Sequence, residues 1–192
     1  MKRSIIFCFL TCLICLPAFA ASDTYTILRR LSEINFDVSA QLHNVHGVSK
    51  EFSGTITGDP NDITAAHIVV KLDPSSLNTD NEKRDKDLRQ KCLEVDKYPA
   101  IQFESSSIEA ESKTLTAGKP VKATIKGTLR LHGLEKQIAV PVTILLNNDT
   151  LTADGSLAIV LDEYKIQRPK VVFVRLQNDV KIKFKIGARK NP

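Results

Sequence analysis

The sequence predicts a mainly all-β protein, an eight-stranded antiparallel β-barrel with one short α-helix near residues 80–94. Three observations carry that expectation. Apolar and polar residues alternate with a period of two along most of the chain, as half-buried strands require. Short clusters of Gly, Pro, Asn and Asp separate the runs and favour antiparallel neighbours. One stretch, Ser75 to Ser105, breaks the alternation with the densest charge in the chain, including Glu82-Lys83-Arg84-Asp85-Lys86-Asp87-Leu88-Arg89.

Taken in order, residues 1–20 read as a secretory signal peptide. Lys2 and Arg3 precede an apolar run from Ile5 to about Pro17, and Ala18-Phe19-Ala20 supplies a small-x-small cleavage site. The run is too short for a membrane span of about 20 residues. None of Cys8, Cys12 and Cys15 follows a lipoprotein-type Leu-small-small pattern. The expectation is therefore an exported, periplasmic protein whose residues 21–192 form a single domain. Cleavage leaves Cys92 as the sole cysteine, so the exported chain must hold together by its core rather than by a disulfide. Loss of Lys2 and Arg3 takes the formal charge from +5 to +3, too mild a balance to argue for nucleic acid.

Ile34, Phe36, Val38, Ala40 and Leu42 open the strand series, followed by Phe52, Gly54 and Ile56 and by the run from Ile63 to Leu72. The longest alternation is Val121, Ala123, Ile125, Gly127, Leu129 and Leu131, with Lys122, Thr124, Lys126, Thr128, Arg130 and His132 on the other side. Ile138 to Leu146, Leu157 to Leu161 and Val180 to Ala188 complete the set. Turns are expected at Gly47, Gly58-Asp59-Pro60-Asn61, Gly118-Lys119-Pro120, Gly133, Asn147-Asn148-Asp149 and Asp154-Gly155. Strands with one apolar face need a shared interior, which a sandwich or a closed barrel supplies, and the barrel is favoured. An outer-membrane barrel would carry aromatic girdles, whereas this chain has no Trp and three Tyr. No stable membrane insertion is expected.

Within the charged stretch, Thr79-Asp80-Asn81-Glu82 matches a capping box, in which the Thr79 hydroxyl and the Glu82 side chain satisfy each other's backbone NH groups. Leu88, Cys92 and Leu93 form one narrow apolar stripe, and Tyr98-Pro99 ends the helical run. The stripe is expected to dock on the barrel, with Arg84 and Asp85 fixing the helix start.

Tests for chemistry return little. His43, His46 and His67 allow a metal enzyme to be imagined, but H-x-x-H at a strand end lacks companion ligands at metal spacing. A nucleophile elbow and a phosphate loop are both absent from the sequence, and Cys92 falls on the apolar stripe. Asp85 and Asp87, two apart on a helix, make a poor acid and base pair. The reading is a non-enzyme without metal or cofactor. What remains is the interior, since an eight-stranded barrel either fills with side chains or keeps room for one small ligand.

The segments "SSLNTDNEKRDKDLR", "YPAIQFESSSI", "KGTLRLHGLEKQIAVPV" and "FDVSAQLHNVHGVSKEFSGTITGD" together resemble the YceI-like family of exported lipid-binding proteins, over about Tyr25 to Ala188. The resemblance implies an extended, lipocalin-like barrel with a helix near one mouth and a hydrophobic tunnel. Its implied ligand is one long apolar chain of the polyisoprenoid, isoprenoid quinone or fatty-acid type. Three departures stand out: Asp80 replaces a frequent Gly, Lys86-Asp87 stands where many members carry a His, and "LDEYKIQRPKVVF" differs from Arg-x-x-(Phe/Tyr)-Gly-Ile.

On this basis the expected function is a carrier or binding protein. The expected lining is Phe36, Val38, Phe52, Ile56, Ile101, Phe103, Leu129, Val140, Ile159 and Phe184, each on the apolar side of its strand or run. Thr79, Glu82, Arg84, Asp85, Leu88 and Cys92 would form the helix and lid. The alternative is an exported stress or interaction protein with a filled barrel, acting through its surface. Oligomeric state is left open, a homodimer included.

Overall fold

The computed structural model describes residues 22–40, 44–168 and 176–192. The signal segment and His43 lie outside these residues. Ten antiparallel strands form one sheet: β1 (Asp23–Ile27), β2 (Glu33–Ala40), β3 (Val45–Ser49), β4 (Phe52–Asp59) and β5 (Asp62–Leu72), then β6 (Ile101–Ala110), β7 (Val121–Leu131), β8 (Leu134–Asn147), β9 (Thr150–Val160) and β10 (Leu176–Lys190).

They fill eight positions of a closed barrel. β1 and β2 both pair with β10, at Ile27↔Ala188 and Glu33↔Lys185, so they are two halves of one bent strand. Likewise β3 pairs with β2, and β4 with β1. The bend between the first two halves is a 3-10 turn over Arg29–Leu31, and the buried Ser32 repairs the ladder there: the Gly187 NH donates to the Ser32 hydroxyl, 3.1 Å away. From β4 through β10 each strand pairs with the next, and the β1–β10 pairing closes the ring. The alternation in the sequence becomes burial directly. In β7 every odd position from Val121 to Leu131 is buried while the even ones face out.

Two expected turns are strand interiors instead. Gly47 lies within β3 opposite Phe36, and a Cβ there would collide with the Phe36 ring. Gly155 lies within β9, paired with both Val142 and Phe184; a Cβ would come within 2.5 Å of the Phe184 ring and 2.8 Å of the Pro141 carbonyl. Both glycines provide room for a neighbouring ring, a use that a turn-based reading overlooks.

The 28-residue connection from β5 to β6 holds the helix, α1 (Glu82–Asp87), continued by a π turn over Leu88–Cys92. The capping box is corrected here. Asn81 is the N-cap, accepting from the Arg84 NH at 2.9 Å, and Glu82 is exposed. Thr79 is drawn away because its NH (2.9 Å) and hydroxyl (2.5 Å) both donate to the Asp85 carboxylate. Between them Asp80 takes a left-handed φ of 59°, a conformation that favours glycine and that Asp tolerates better than most residues. The helical run also ends earlier than Tyr98-Pro99. Cys92 is its last residue, and Glu94, at φ 45°, reverses the chain.

Candidate functional site

Three apolar cavities lie in line inside the barrel. A mouth chamber of about 150 Å³ is bounded by the stripe residues Leu88, Cys92 and Leu93, by Leu77 and Ile166, and by β2, β9 and β10. It shares Ile34, Leu72 and Ile101 with a central chamber of about 160 Å³. That chamber in turn shares Ile56, Ile68, Ile125, Ala153 and Ile186 with a far chamber of about 60 Å³. Along β9 and into the 3-10 turn that follows it, the series runs from Leu151 to Leu161. Ten strand residues cover about 33 Å, or about 25 Å along the axis of a barrel whose strands tilt by roughly 40°.

The ten residues expected to line the interior all border these chambers. Phe52, Ile56, Ile101, Phe103, Leu129, Val140 and Phe184 surround the central one, while Phe36, Val38 and Ile159 belong to the mouth. Leu88 and Cys92 also face the mouth chamber. Thr79, Arg84 and Asp85 do not line it; they form a knot beside it. The Arg84 guanidinium donates to the Thr79 hydroxyl (2.7 Å) and carbonyl (2.5 Å), while the buried Asp85 holds the Thr79 NH and hydroxyl. Glu82 touches none of the chambers.

A second clamp, not anticipated from sequence, joins three elements at the same end. His132, in the β7–β8 turn, is buried and packs against the Tyr98 ring with centroids 4.6 Å apart. Its Nδ1 donates to the Tyr164 carbonyl at 2.9 Å, and its Nε2 faces the Glu94 carboxylate at 2.8 Å. The hairpin is thereby tied both to the end of the helical segment and to the 3-10 turn Leu161–Tyr164. His132→Phe keeps a ring on Tyr98 but strands the Tyr164 carbonyl. Stability is expected to fall by about 2 kcal/mol, read as a lower urea midpoint at unchanged slope.

Leu77, Ile166, Tyr25 and Leu115 were likewise missed as chamber residues. Leu77, Ile166 and Leu115 are single apolar residues in polar connections, with no period to mark them; Tyr25 alternates with Ile27 in a strand only five residues long.

The other two described histidines look outward. His46 pairs with Asp37 at 3.0 Å and His67 lies 3.7 Å from Glu104, all four groups well exposed. Among the described residues no three His, Cys, Asp or Glu side chains converge as a metal site. Burial, with a smaller contribution from Asp87, pushes the Cys92 thiol up to about 11. At pH 8 roughly a thousandth of it is thiolate. Alkylation by iodoacetamide is expected to be slow and to rise about tenfold per pH unit until the pH nears that value. Rapid labelling at pH 7 would contradict the burial. On the outer wall a larger concavity of about 870 Å³ crosses β6 to β10, but Glu109, Lys122, Asp154 and Lys183 line it and it is open to solvent. It suits water better than an apolar chain.

The model of the YceI-like domain matches residues 25–188, which include every strand but the first two residues of β1 and the last two of β10. The chain belongs to the YceI-like family. Among relatives, a UPF0312 protein of Vibrio cholerae is 28% identical over 144 residues, 73% of this chain and 72% of that one. Protein YceI of Salmonella newport is 29% identical over 118 residues, and this chain spans 58% of its length. Two solved structures share the YceI-like barrel. BcnA of Burkholderia cenocepacia superposes with a TM-score of 0.70 at 22% identity, covering 84% of this chain and 98% of that one. A polyisoprenoid binding domain from Saccharophagus degradans gives 0.72 at 17% identity, covering 87% and 98%.

At the mouth, Lys165 takes the left-handed conformation at φ 54°, and the turn it makes delivers Ile166 into the mouth chamber.

Proposed function

We propose that this YceI-like protein is an exported, periplasmic binding or carrier protein that holds one long apolar chain, of the polyisoprenoid, isoprenoid quinone or fatty-acid type, inside the barrel. No covalent chemistry is involved. The observation that carries the reading is the line of three chambers with almost entirely aliphatic and aromatic walls. Together they reach the lower part of the 300–1,000 Å³ typical of small-ligand sites. The walls offer a ligand no set of converging polar groups. Affinity would come from desolvation, roughly 25 cal/mol per Å² of apolar area before the costs of binding. The fold shared with a domain named for polyisoprenoid binding supports the ligand class. Lys2, Arg3 and the apolar run after them support export.

The carrier surface fits an aqueous compartment. No helix among the described residues is long and apolar enough to cross a membrane, and the outward side chains of β10 include Lys181, Lys183 and Lys185. Purified protein extracted with organic solvent is expected to release a long-chain lipid in stoichiometric amount by mass spectrometry. Repeated absence of lipid, with no uptake of added prenol or fatty acid, would reject the proposal in favour of a protein acting through its surface.

A further inference from the structure

The geometry points to Leu115 as the stopper that closes the tunnel's far end and so sets the length of chain the barrel accepts. This rests on the carrier reading above. Residues 111–120 form the β6–β7 loop, and every one of them is exposed except Leu115, at 7%. A side chain buried alone in a polar loop has been inserted into something. Here it enters the far chamber, where it meets the surroundings of Tyr25, Ile63, Ile144 and Leu151.

The loop is fastened so that the side chain cannot simply swing out. The Leu115 NH donates to the Pro60 carbonyl (2.8 Å), the Ile63 NH to the Lys113 carbonyl (2.9 Å), and the Thr114 hydroxyl to the Asn61 carbonyl (3.0 Å). On the opposite side the Gly118 NH donates to the Leu146 carbonyl at 2.9 Å. The loop therefore bridges the β4–β5 turn and β8, across the end of the barrel remote from the helix. The mouth, by contrast, is covered by the helical segment and by Ile166, whose neighbours Gln167 and Arg168 reach the chamber rim. Asp59 and Thr152 border the far chamber too, so the two ends differ in their closure: the far one is stopped by a loop bonded to the β4–β5 turn and to β8, and the terminal carbons of a chain that enters at the mouth stop at Leu115.

Each methylene buried in such a tunnel should tighten binding about fourfold. A homologous series of straight-chain fatty acids is therefore expected to show affinity climbing with length and then breaking sharply. The wild-type protein, Leu115→Ala and Ile144→Phe would be titrated with that series. Leu115→Ala opens the end and should move the break to longer homologues. Ile144→Phe fills the same chamber from β8 with the loop's own bonds untouched, and should move it to shorter ones; it also decides the matter alone if Leu115→Ala fails to fold. An unchanged break in all folded variants, or a wild-type affinity that climbs without a break, would overturn the assignment and leave Leu115 as a mere loop anchor. Failure of the wild-type protein to bind any fatty acid of the series or any linear prenol titrated beside it would reject the carrier reading itself, and this assignment with it.

Discussion

Replacing Ile101 by Trp is expected to block the tunnel while leaving the barrel folded. Ile101 is the first residue of β6, paired with Leu72 and half-buried, and it borders both the mouth and the central chambers. A larger ring there divides the two. Because the site adjoins empty volume, the cost should stay near the lower end of the roughly 1–3 kcal/mol that overpacking imposes. A chain denied the central chamber loses burial of several carbons. Four methylenes at about 0.8 kcal/mol each amount to roughly 3 kcal/mol, or about a 200-fold weaker affinity. The wild-type chain has no Trp, so the substituted ring is also the only indole fluorophore, and its emission reports directly whether it faces the apolar interior. Unchanged affinity in the folded variant would mean that the chain does not pass Ile101.

Asp85→Ala carries the second large effect, on the covering helix. The carboxylate is buried and is the acceptor for both the Thr79 NH and the Thr79 hydroxyl, which in turn receives Arg84. Removing it leaves buried donors unpaired at a cost of about 2–3 kcal/mol. The damage should be local. Amide exchange is expected to quicken about 30- to 150-fold from Thr79 through Leu93, while the central strands keep their protection. If this segment gates the mouth, the release rate of bound chain rises with it; release at the wild-type rate despite faster exchange would show that the segment braces the barrel and does not gate it.

How far the sequence discloses such a structure depends on the kind of signal each residue gives. Strand residues such as Phe36, Leu129 and Phe184 repeat with a period of two, and that period is the geometry of the pleat, so their inward direction is readable without a structure. Glycine is ambiguous. Gly118 and Gly133 do lie at turns, whereas Gly47 and Gly155 give way to aromatic rings inside strands. A capping box is a four-residue pattern that ignores the rest of the fold, and Thr79 was claimed by Asp85, a competitor six residues on. His132 reads as one more polar-face residue, since its partners Glu94 and Tyr164 are more than 30 positions away in each direction. Leu77, Leu115 and Ile166 act through single insertions from loops, and a single residue has no period.

The ends of the tunnel are thus the part least written in the strand pattern, and they are where selection among chains would be made. Two polar clamps, Thr79-Arg84-Asp85 and His132-Glu94-Tyr164, hold the segments over the mouth, and neither contributes its side chains to the apolar wall. That separation lets the cover loosen without opening the strand ladder.

Native mass spectrometry of the intact protein tests the central claim most directly. Wild-type protein incubated with a long-chain fatty acid or prenol is expected to retain one chain per barrel, and Ile101→Trp to retain none under the same conditions. A wild-type protein that stays empty, or chains bound in variable number and equally by both proteins, would contradict an internal site.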